Sequence, residues 1–83
     1  QVFYAAARDD VRGPLHGIKV VEATTTWAGP MAACLLADFG ATVVKVEHPA
    51  GEVCRKLPPM LPDSALSMAH ETVNRNKRNV SLD

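Results

Sequence analysis

The sequence lacks the features that mark membrane spans, nucleotide fingerprints and metal sites. No apolar run approaches the roughly 18 residues that a membrane-spanning helix needs, and neither a G-x-G-x-x-G nor a Walker A pattern occurs. The three histidines and two cysteines have no metal-ligand spacing among themselves. Nine basic and nine acidic residues cancel, whereas a nucleic-acid-binding domain is usually strongly basic. The sequence therefore predicts neither a membrane protein, a fingerprint-type nucleotide binder, a metalloprotein nor a nucleic-acid binder.

Two cysteines are too few for a disulfide framework. Cys34 falls inside a helical pattern, where it is expected to pack as a small apolar residue, and Cys54 falls in a loop. The sequence leaves a disulfide between them open, but a reducing, cytoplasmic setting is the simpler expectation. With 83 residues and 47% hydrophobic content, the chain is predicted to be one small folded domain that is marginal on its own.

The stretch from Ile18 to Glu47 has the pattern of strand, helix and strand. An apolar, β-branched run predicts a strand at Lys19–Glu22, and a second run predicts a strand at Thr42–Val46. Between them the pattern predicts a helix at Pro30–Phe39, with Gly40 as its left-handed C-terminal cap. Strand, helix and strand of these lengths form a βαβ unit, so the two strands are expected to be parallel.

The same helix has recognisable ends and an apolar face. Pro30 suits the first turn of a helix, where a missing N–H costs nothing, and Gly29 is then the expected N-cap. Helical spacing i, i+3, i+4, i+7 places four apolar residues on one face, namely Ala32, Leu35, Leu36 and Phe39.

The rest of the chain predicts a terminal arm, a loop, one more helix and one more strand. Residues 1–13 are expected to be a loose arm or a remnant foreign to the domain, and residues 14–83 the domain itself. After a proline-rich loop, the pattern predicts a helix at Ser64–Val73 and a third strand at Val80–Leu82. The predicted fold class is α/β, a three-layer Rossmann-like fragment with a small parallel sheet in βαβ(α)β order.

Ligands of open parallel sheets bind at the carboxyl ends of the strands. Two segments lie there, the loop from Thr24 to Pro30 and the Glu47-His48-Pro49 run. The threonine hydroxyls and free helix N–H groups suit a carboxylate or phosphate oxygen, and they equally suit ordinary capping. Glu22 could hold a ligand or orient the threonines, but capping of neighbouring backbone N–H groups is the simpler expectation.

Charged residues elsewhere have plain explanations. Lys45 interrupts an apolar strand, and Glu47 lies on the same side of the pleat, which predicts a Lys45–Glu47 pair. Arg55 and Lys56 are expected to be solvent-exposed. The basic run from Asn74 to Arg78 either meets an anionic ligand or is a solvated turn ahead of the third strand.

Five short pieces of the sequence resemble, in order, the N-terminus of family III CoA-transferases. This CaiB/BaiF group includes formyl-CoA transferase, carnitine CoA-transferase and α-methylacyl-CoA racemase. The resemblance runs over 70 of the 83 residues. The pieces are PLHGIKV from Pro14, AGP from Ala28, LLADFGA from Leu35, VKVE from Val44, and NRNKR from Asn74 followed by VSLD from Val80.

The resemblance implies that the chain contacts coenzyme A or an acyl-CoA ester. The implied CoA-binding residues are Trp27, Ala28, His48, Leu82 and Asp83. Packing into the core or an interface is the equal alternative for Trp27. Family members often carry an arginine where this chain has His48, and histidine would bind a phosphate or base more weakly and with pH dependence.

The resemblance also implies chemistry that this chain does not contain. Family III transferases use an aspartate that attacks the acyl-CoA thioester to give a mixed anhydride, which splits one hard step into easier ones. That aspartate lies downstream of the matching region, and Asp38, Asp63 and Asp83 do not correspond to it. The racemase branch uses a histidine and an aspartate that are also downstream, so no catalytic residue is expected here.

Two functions follow as expectations. In the first, the chain is the N-terminal fragment of an acyl-CoA transferase that moves CoA between carboxylic acids, and it forms the nucleotide-side wall of the CoA site. In the second, it is a stand-alone, truncated and non-catalytic module that keeps the fold for binding or assembly. Family members are interlocked dimers, so the expected partner in either case is a second copy or the rest of a CoA-transferase chain.

Overall fold

The computed structural model describes residues 12–83, and most of the predicted terminal arm lies outside them. The chain forms a parallel sheet of three strands in the order β1-β2-β3, which confirms the predicted α/β fold class with a small parallel sheet. The elements are β1 (Lys19–Glu22), α1 (Ala28–Asp38), β2 (Thr42–Glu47), a 3₁₀ helix (Val53–Lys56), α2 (Met68–Val73) and β3 (Arg78–Ser81).

The strand register decides which side chains meet. Glu22 lies opposite Lys45, and Lys45 lies opposite Asn79 on the other side. Because all three strands are parallel, their carboxyl ends lie side by side at one edge of the sheet. The predicted βαβ unit is confirmed, with β2 in the middle of the sheet rather than at its edge.

Helix α1 packs on the sheet with its small residues, not with the predicted stripe of larger ones. Its buried residues are Pro30, Ala33, Cys34 and Ala37, which share the same i, i+3, i+4, i+7 spacing. Ala33, Ala37, Ala41 and Val43 form the core cluster. The larger residues point outward, with Leu35 46%, Leu36 37% and Phe39 53% exposed. Small side chains let the helix approach the sheet closely. The stripe of larger residues lies on the other side of the helix, where no other described residue buries it.

The two ends of α1 agree with the sequence to different degrees. Gly40 has φ 108°, and the amides of Gly40 and Ala41 donate to the carbonyls of Ala37 and Leu36. This is a Schellman motif, which confirms the predicted glycine cap. The predicted N-cap was wrong, since the helix begins at Ala28 after Trp27, two residues earlier than expected, and Trp27 makes no side-chain cap.

The second half of the chain begins its helix later than predicted. The amide of Leu61 donates to the carbonyl of Leu66 at 2.8 Å, which closes a tight turn over the residues that were expected to start the helix. Ser64 lies inside that turn, where its hydroxyl accepts from the amide of Leu66. The hydroxyl of Ser67 instead accepts from the amide of His70, so α2 begins at Met68. β3 begins two residues earlier than predicted because Arg78 already pairs with Val44.

Candidate functional site

A cleft of about 410 Å³ lies at the carboxyl ends of β1 and β2. This is the edge of an open parallel sheet at which ligands bind. Residues from the loop after β1, from the end of β2 and from the loop after β2 line it. They are Ala23, Thr24, Thr25, Val46, Glu47, His48, Gly51, Glu52 and Val53.

Beneath the cleft, Lys45 is buried between two carboxylates. Its Nζ lies 3.2 Å from Glu22 Oε2 and 3.2 Å from Glu52 Oε1, and the Lys45 side chain is 1% exposed. The predicted Lys45–Glu47 pair was wrong. Glu22 lies directly across the sheet from Lys45, and neighbouring strands are about 4.8 Å apart. Glu47 is two residues along the same strand, which is farther, and it has other partners.

Glu22 holds charged and polar side chains together at the end of β1. It accepts from the Thr24 hydroxyl at 2.5 Å and lies 2.7 Å from Lys77 Nζ. Burial acts to raise the pKa of Glu22, but the bonds from Lys77, Thr24 and Lys45 outweigh it and the pKa is lowered. The alternative in which Glu22 orients the threonines is confirmed for Thr24. The simpler expectation, capping of backbone N–H groups, was wrong because the register supplies Lys45.

Glu47 binds Arg55 through both carboxylate oxygens. Arg55 Nη2 donates to Oε1 at 2.9 Å, and Arg55 Nε donates to Oε2. Asn79 and the amide of Glu52 donate to the same carboxylate, at 2.6 Å and 2.7 Å. The bond from Arg55 lowers the pKa of Glu47 most, and the bonds from Asn79 and the amide of Glu52 lower it further. Burial acts to raise this pKa but is outweighed, so the pKa of Glu47 is lowered to about 2. The expectation that Arg55 is a solvated cation was therefore wrong, whereas Lys56 is exposed as predicted.

Glu52 is the site residue that the sequence gave no reason to select. It is 6% exposed and joins the two loops of the cleft, since its Oε2 accepts from the amide of Thr26 at 2.8 Å. Locally, its side chain caps the 3₁₀ helix by accepting from the amide of Cys54. Its contact with Thr26, 26 positions away, has no local motif. Only the pairing of β1 with β2 brings Thr26 within its reach.

Three of the five predicted CoA-binding residues lie close together. His48 lines the cleft, its Nδ1 accepts from the amide of Ala50 at 3.0 Å, and its Nε2 lies 3.7 Å from Asp83 Oδ1. The amide of Leu82 donates to the carbonyl of Glu47, beside His48. The side chains of His48 and Asp83 are 67% and 93% exposed, so both face solvent.

The other two predicted residues, Trp27 and Ala28, lie at the start of α1. Neither is among the residues that line the cleft. Trp27 is 46% exposed, so within the described part of the chain it is not a core residue. The first amides of α1 follow directly on the loop of Thr24 and Thr25, which places Trp27 and Ala28 next to the cleft along the chain but not in its wall.

The basic run before β3 is largely occupied within the chain. Arg75 and Asn76 donate to Asp38 at 2.6 Å and 2.7 Å. The Arg75 bond lowers the pKa of Asp38, and Asp38 in turn raises the pKa of Arg75. Lys77 donates to the carbonyl of Pro30 and pairs with Glu22, with its side chain 2% exposed. Two of the three cations therefore have carboxylate partners within the fold. The expectation of a solvated turn before the third strand holds for Arg75, Asn76 and Arg78, which are exposed, but not for Lys77, whose side chain is buried.

Within residues 12–83 the cysteines are unpaired and no metal-binding cluster is present. Both cysteines are buried and free, and burial raises the pKa of the Cys54 thiol. The described residues contain no group of three or more histidine, cysteine or acidic side chains that could hold a metal ion. Among these residues, no helix has the length and apolar character to cross a bilayer.

Comparison with known proteins decides the family. The model of CoA-transferase family III matches residues 15–83. The chain belongs to CoA-transferase family III. Its relatives include the succinyl-CoA:mesaconate CoA-transferase of Haloarcula hispanica, which is 43% identical over 74 residues, 86% of this chain and 19% of that protein. The beta subunit of the succinyl-CoA–L-malate CoA-transferase of Chloroflexus aurantiacus is 44% identical over 72 residues, 84% of this chain and 17% of that subunit.

Solved structures agree with the family assignment. The crystal structure of a CaiB/BaiF family protein from Brucella suis superimposes with a TM-score of 0.79 at 36% identity, over 88% of this chain and 20% of that one. The family III chain thus spans about a fifth of the length of the curated relatives that it matches. The resemblance noted in the sequence, and the family that it named, are confirmed.

Proposed function

We propose that this family III chain recognises a CoA ester at the cleft, as the N-terminal part of an acyl-CoA transferase that moves CoA between carboxylic acids. The observation that carries the proposal is the cleft itself, which opens at the carboxyl ends of β1 and β2 and has exposed hydroxyl and imidazole groups at its rim. The family is described as one of CoA-transferases, which supports a CoA ester as the ligand.

The charge arrangement under the cleft supports binding of an anionic ligand. Glu22, Glu47 and Glu52 lie beneath the rim, and each is paired with Lys45, Lys77 or Arg55. Because these cations offset the carboxylates, the floor does not present a net negative field to a phosphate. Thr24, Thr25 and His48 then remain as the exposed polar groups that face an incoming ligand.

In the proposed CoA site, His48 lines the cleft and Leu82 and Asp83 lie beside it, while Trp27 and Ala28 adjoin the cleft at the start of α1. The aspartate nucleophile of the family is not assigned to any residue of this chain. Asp38 is tied to Arg75 and Asn76, and Asp63 lies in a turn with φ 52°. In this proposal the chain binds the CoA portion, and residues outside the sequence carry out the acyl transfer.

A second candidate is a non-catalytic assembly module, and one observation favours it. The outer stripe of α1 exposes Leu35, Leu36 and Phe39 on a helix whose small residues already fill the contact with the sheet. Exposed apolar stripes of this kind mark contact surfaces. Self-association, or association with the rest of a CoA-transferase chain, would cover this stripe. The cytoplasmic setting expected from the sequence stays a prediction.

The deciding experiment is a titration of the purified chain with CoA, followed by Trp27 fluorescence, with the mass in solution measured in the same buffer. Saturable quenching or enhancement supports CoA recognition by the chain itself. An oligomer that gives no saturable signal favours the assembly module. Desulfo-CoA, which keeps the nucleotide and lacks the thiol, is expected to bind equally well because the cleft is proposed to hold the nucleotide side.

A further inference from the structure

Thr26 holds a backbone conformation that its residue type disfavours. Its φ is 70°, in the left-handed region that glycine and asparagine populate most easily. A β-branched residue there is strained, and such strain persists only where surrounding contacts hold the backbone in place. Thr26 lies in the loop between β1 and α1, which we call the threonine loop (residues 23–27). Ala23, Thr24 and Thr25 of this loop line the cleft, so the strain lies directly next to the cleft wall.

One buried carboxylate supplies a contact that can hold Thr26. The amide of Thr26 donates to Glu52 Oε2 at 2.8 Å. The other oxygen of Glu52 lies 3.2 Å from Lys45 Nζ and 3.8 Å from His70 Nε2. Glu52 therefore reaches from the buried cation of the sheet to the strained amide, and burial of its side chain leaves it little freedom to move.

The other end of the threonine loop has contacts that do not involve Glu52 directly. The Thr24 hydroxyl donates to Glu22, and the Thr24 carbonyl accepts from Lys45 Nζ at 3.2 Å. A Cβ on Gly29 would overlap the Thr24 side chain, so α1 lies directly against this residue. Loss of the Glu52 contact would thus release Thr26 and the start of α1, while Thr24 kept its own bonds.

We propose that Glu52 is a positioning residue for ligand binding. It keeps Thr26 in the left-handed conformation and so fixes the wall of the cleft and the direction in which α1 begins. Glu52 lines the cleft but is 6% exposed, and its two oxygens face the Thr26 amide and Lys45, so in this proposal it acts through Thr26 rather than by bonding the ligand. The proposal rests on the proposed function, since the wall that Glu52 fixes is the wall of the CoA site.

The test combines Glu52→Ala with Thr26→Gly, because glycine adopts this φ without the strain that threonine carries. Glu52→Ala alone is expected to weaken CoA binding about tenfold, the effect of one misplaced hydrogen-bonding group. Thr26→Gly alone is expected to bind like the unchanged chain. The double variant is expected to recover to within about threefold of Thr26→Gly, since its loop no longer needs the Glu52 contact.

Asp38→Ala is the matched control, because it also removes a carboxylate that bonds two side chains but does so at the far end of α1. It is expected to leave CoA affinity unchanged. A double variant as weak as Glu52→Ala would overturn the proposal, since Glu52 would then act directly on the ligand or on the whole fold. Glu52→Ala binding as well as the unchanged chain would overturn it too.

Two further measurements keep the outcomes distinct. If the unchanged chain does not bind CoA, the proposed function fails, and hydrogen exchange at the Thr26 amide then decides the positioning role. Protection that is lost in Glu52→Ala supports it, and an unprotected amide in the unchanged chain overturns it. If Glu52→Ala does not fold, Glu52→Gln replaces it, because its amide oxygen can still accept from Thr26. If Glu52→Gln keeps the Thr26 amide protected and binds CoA within about threefold of the unchanged chain, the proposal is supported. If it loses CoA affinity although the Thr26 amide stays protected, the proposal is overturned.

Discussion

Lys45 Nζ lies 3.2 Å from Glu22 Oε2 on the neighbouring strand, and the two side chains are 1% and 2% exposed. Glu52 approaches the same nitrogen from the loop after β2, also at 3.2 Å. A cation between two buried carboxylates contributes little net stability compared with an apolar core. Removing it is nevertheless costly, because it leaves negative charge in a place that water cannot reach.

Lys45→Met tests this buried charge network. The substitution keeps the length of the side chain and leaves Glu22 and Glu52 without a shared cation, so we expect a loss of about 3–5 kcal/mol in the free energy of unfolding. Urea unfolding followed by circular dichroism measures it. Lys56→Met is the control, since Lys56 is exposed in the same half of the chain. Equal losses in the two variants would contradict the role of Lys45.

The Glu47–Arg55 pair predicts a specific acid sensitivity. The pKa of Glu47 is lowered from 4.5 to about 2, chiefly by Arg55. The stabilisation is therefore fully present above about pH 4.5 and is lost as the pH falls toward 2. It amounts to on the order of 1–2 kcal/mol, because Arg55 is 39% exposed and water weakens the pair.

Glu47→Gln is expected to lower stability at neutral pH and to flatten the decline between pH 4.5 and 2. Thermal unfolding at half-unit steps of pH measures both effects. Asp63→Asn, which removes an exposed carboxylate from a turn, serves as the control and should leave the slope unchanged. A Glu47→Gln profile parallel to that of the unchanged chain would show that the pair does not govern acid stability.

Gly29 is required by close packing rather than by backbone conformation. A Cβ at this position would overlap the side chain of Thr24, whose hydroxyl is fixed on Glu22. We expect Gly29→Ala to cost about 1–3 kcal/mol and to weaken CoA binding, because either α1 or the threonine loop must shift. Gly17→Ala, where a Cβ would meet no atom within 4 Å, introduces strain at a positive φ without crowding. It should leave CoA affinity unchanged.

A substitution at His48 tests whether CoA binds at this rim of the cleft. His48→Arg places a permanently charged, planar group at the rim of the cleft, so we expect tighter CoA binding, by up to about fivefold. Raising the salt concentration should remove most of the gain, since the group is exposed. His16→Arg adds the same charge at an exposed position before β1 and should change nothing. Equal gains from both variants would indicate nonspecific attraction.

The outer stripe of α1 predicts a change in assembly. Leu35→Lys combined with Phe39→Lys places two cations on an apolar surface and adds favourable charge near the helix C-terminus. If the stripe is a contact surface, the variant should have a lower mass in solution at the same concentration. Light scattering after size exclusion measures it, and Thr72→Lys on α2 is the control. An unchanged chain that is already monomeric would exclude this contact.

The secondary structure was largely predictable because it depends on local signals. β-branched runs located the strands, and the glycine at position 40 located the end of α1 correctly. The face of α1 that packs against the sheet was not predictable from such local signals. Two apolar stripes of identical spacing run along this helix, and spacing alone does not tell which of them packs on the sheet. The stripe of smaller residues does so, with Ala33 and Ala37 in the core cluster.

The candidate site was predictable in location but not in its contacts. The carboxyl ends of parallel strands indicated the edge at which the cleft lies, and His48 lines that cleft, whereas its part in CoA binding stays a prediction. The partners of Lys45 depend on strand register, which spacing along one strand cannot supply. Glu52 and Thr26 are 26 positions apart and have no motif, so their contact could emerge only from three-dimensional structure.

Lys77, in the turn before β3, contacts residues on both sides of the loop between β1 and α1. It reaches 47 positions back to the carbonyl of Pro30 and pairs with Glu22 at the end of β1. The carboxylate of the first strand therefore acquires its second cation only when the turn before the last strand is in place. Folding of this segment should be cooperative and comparatively slow, since the ion pairs of its first strand include a residue from the turn before its last strand.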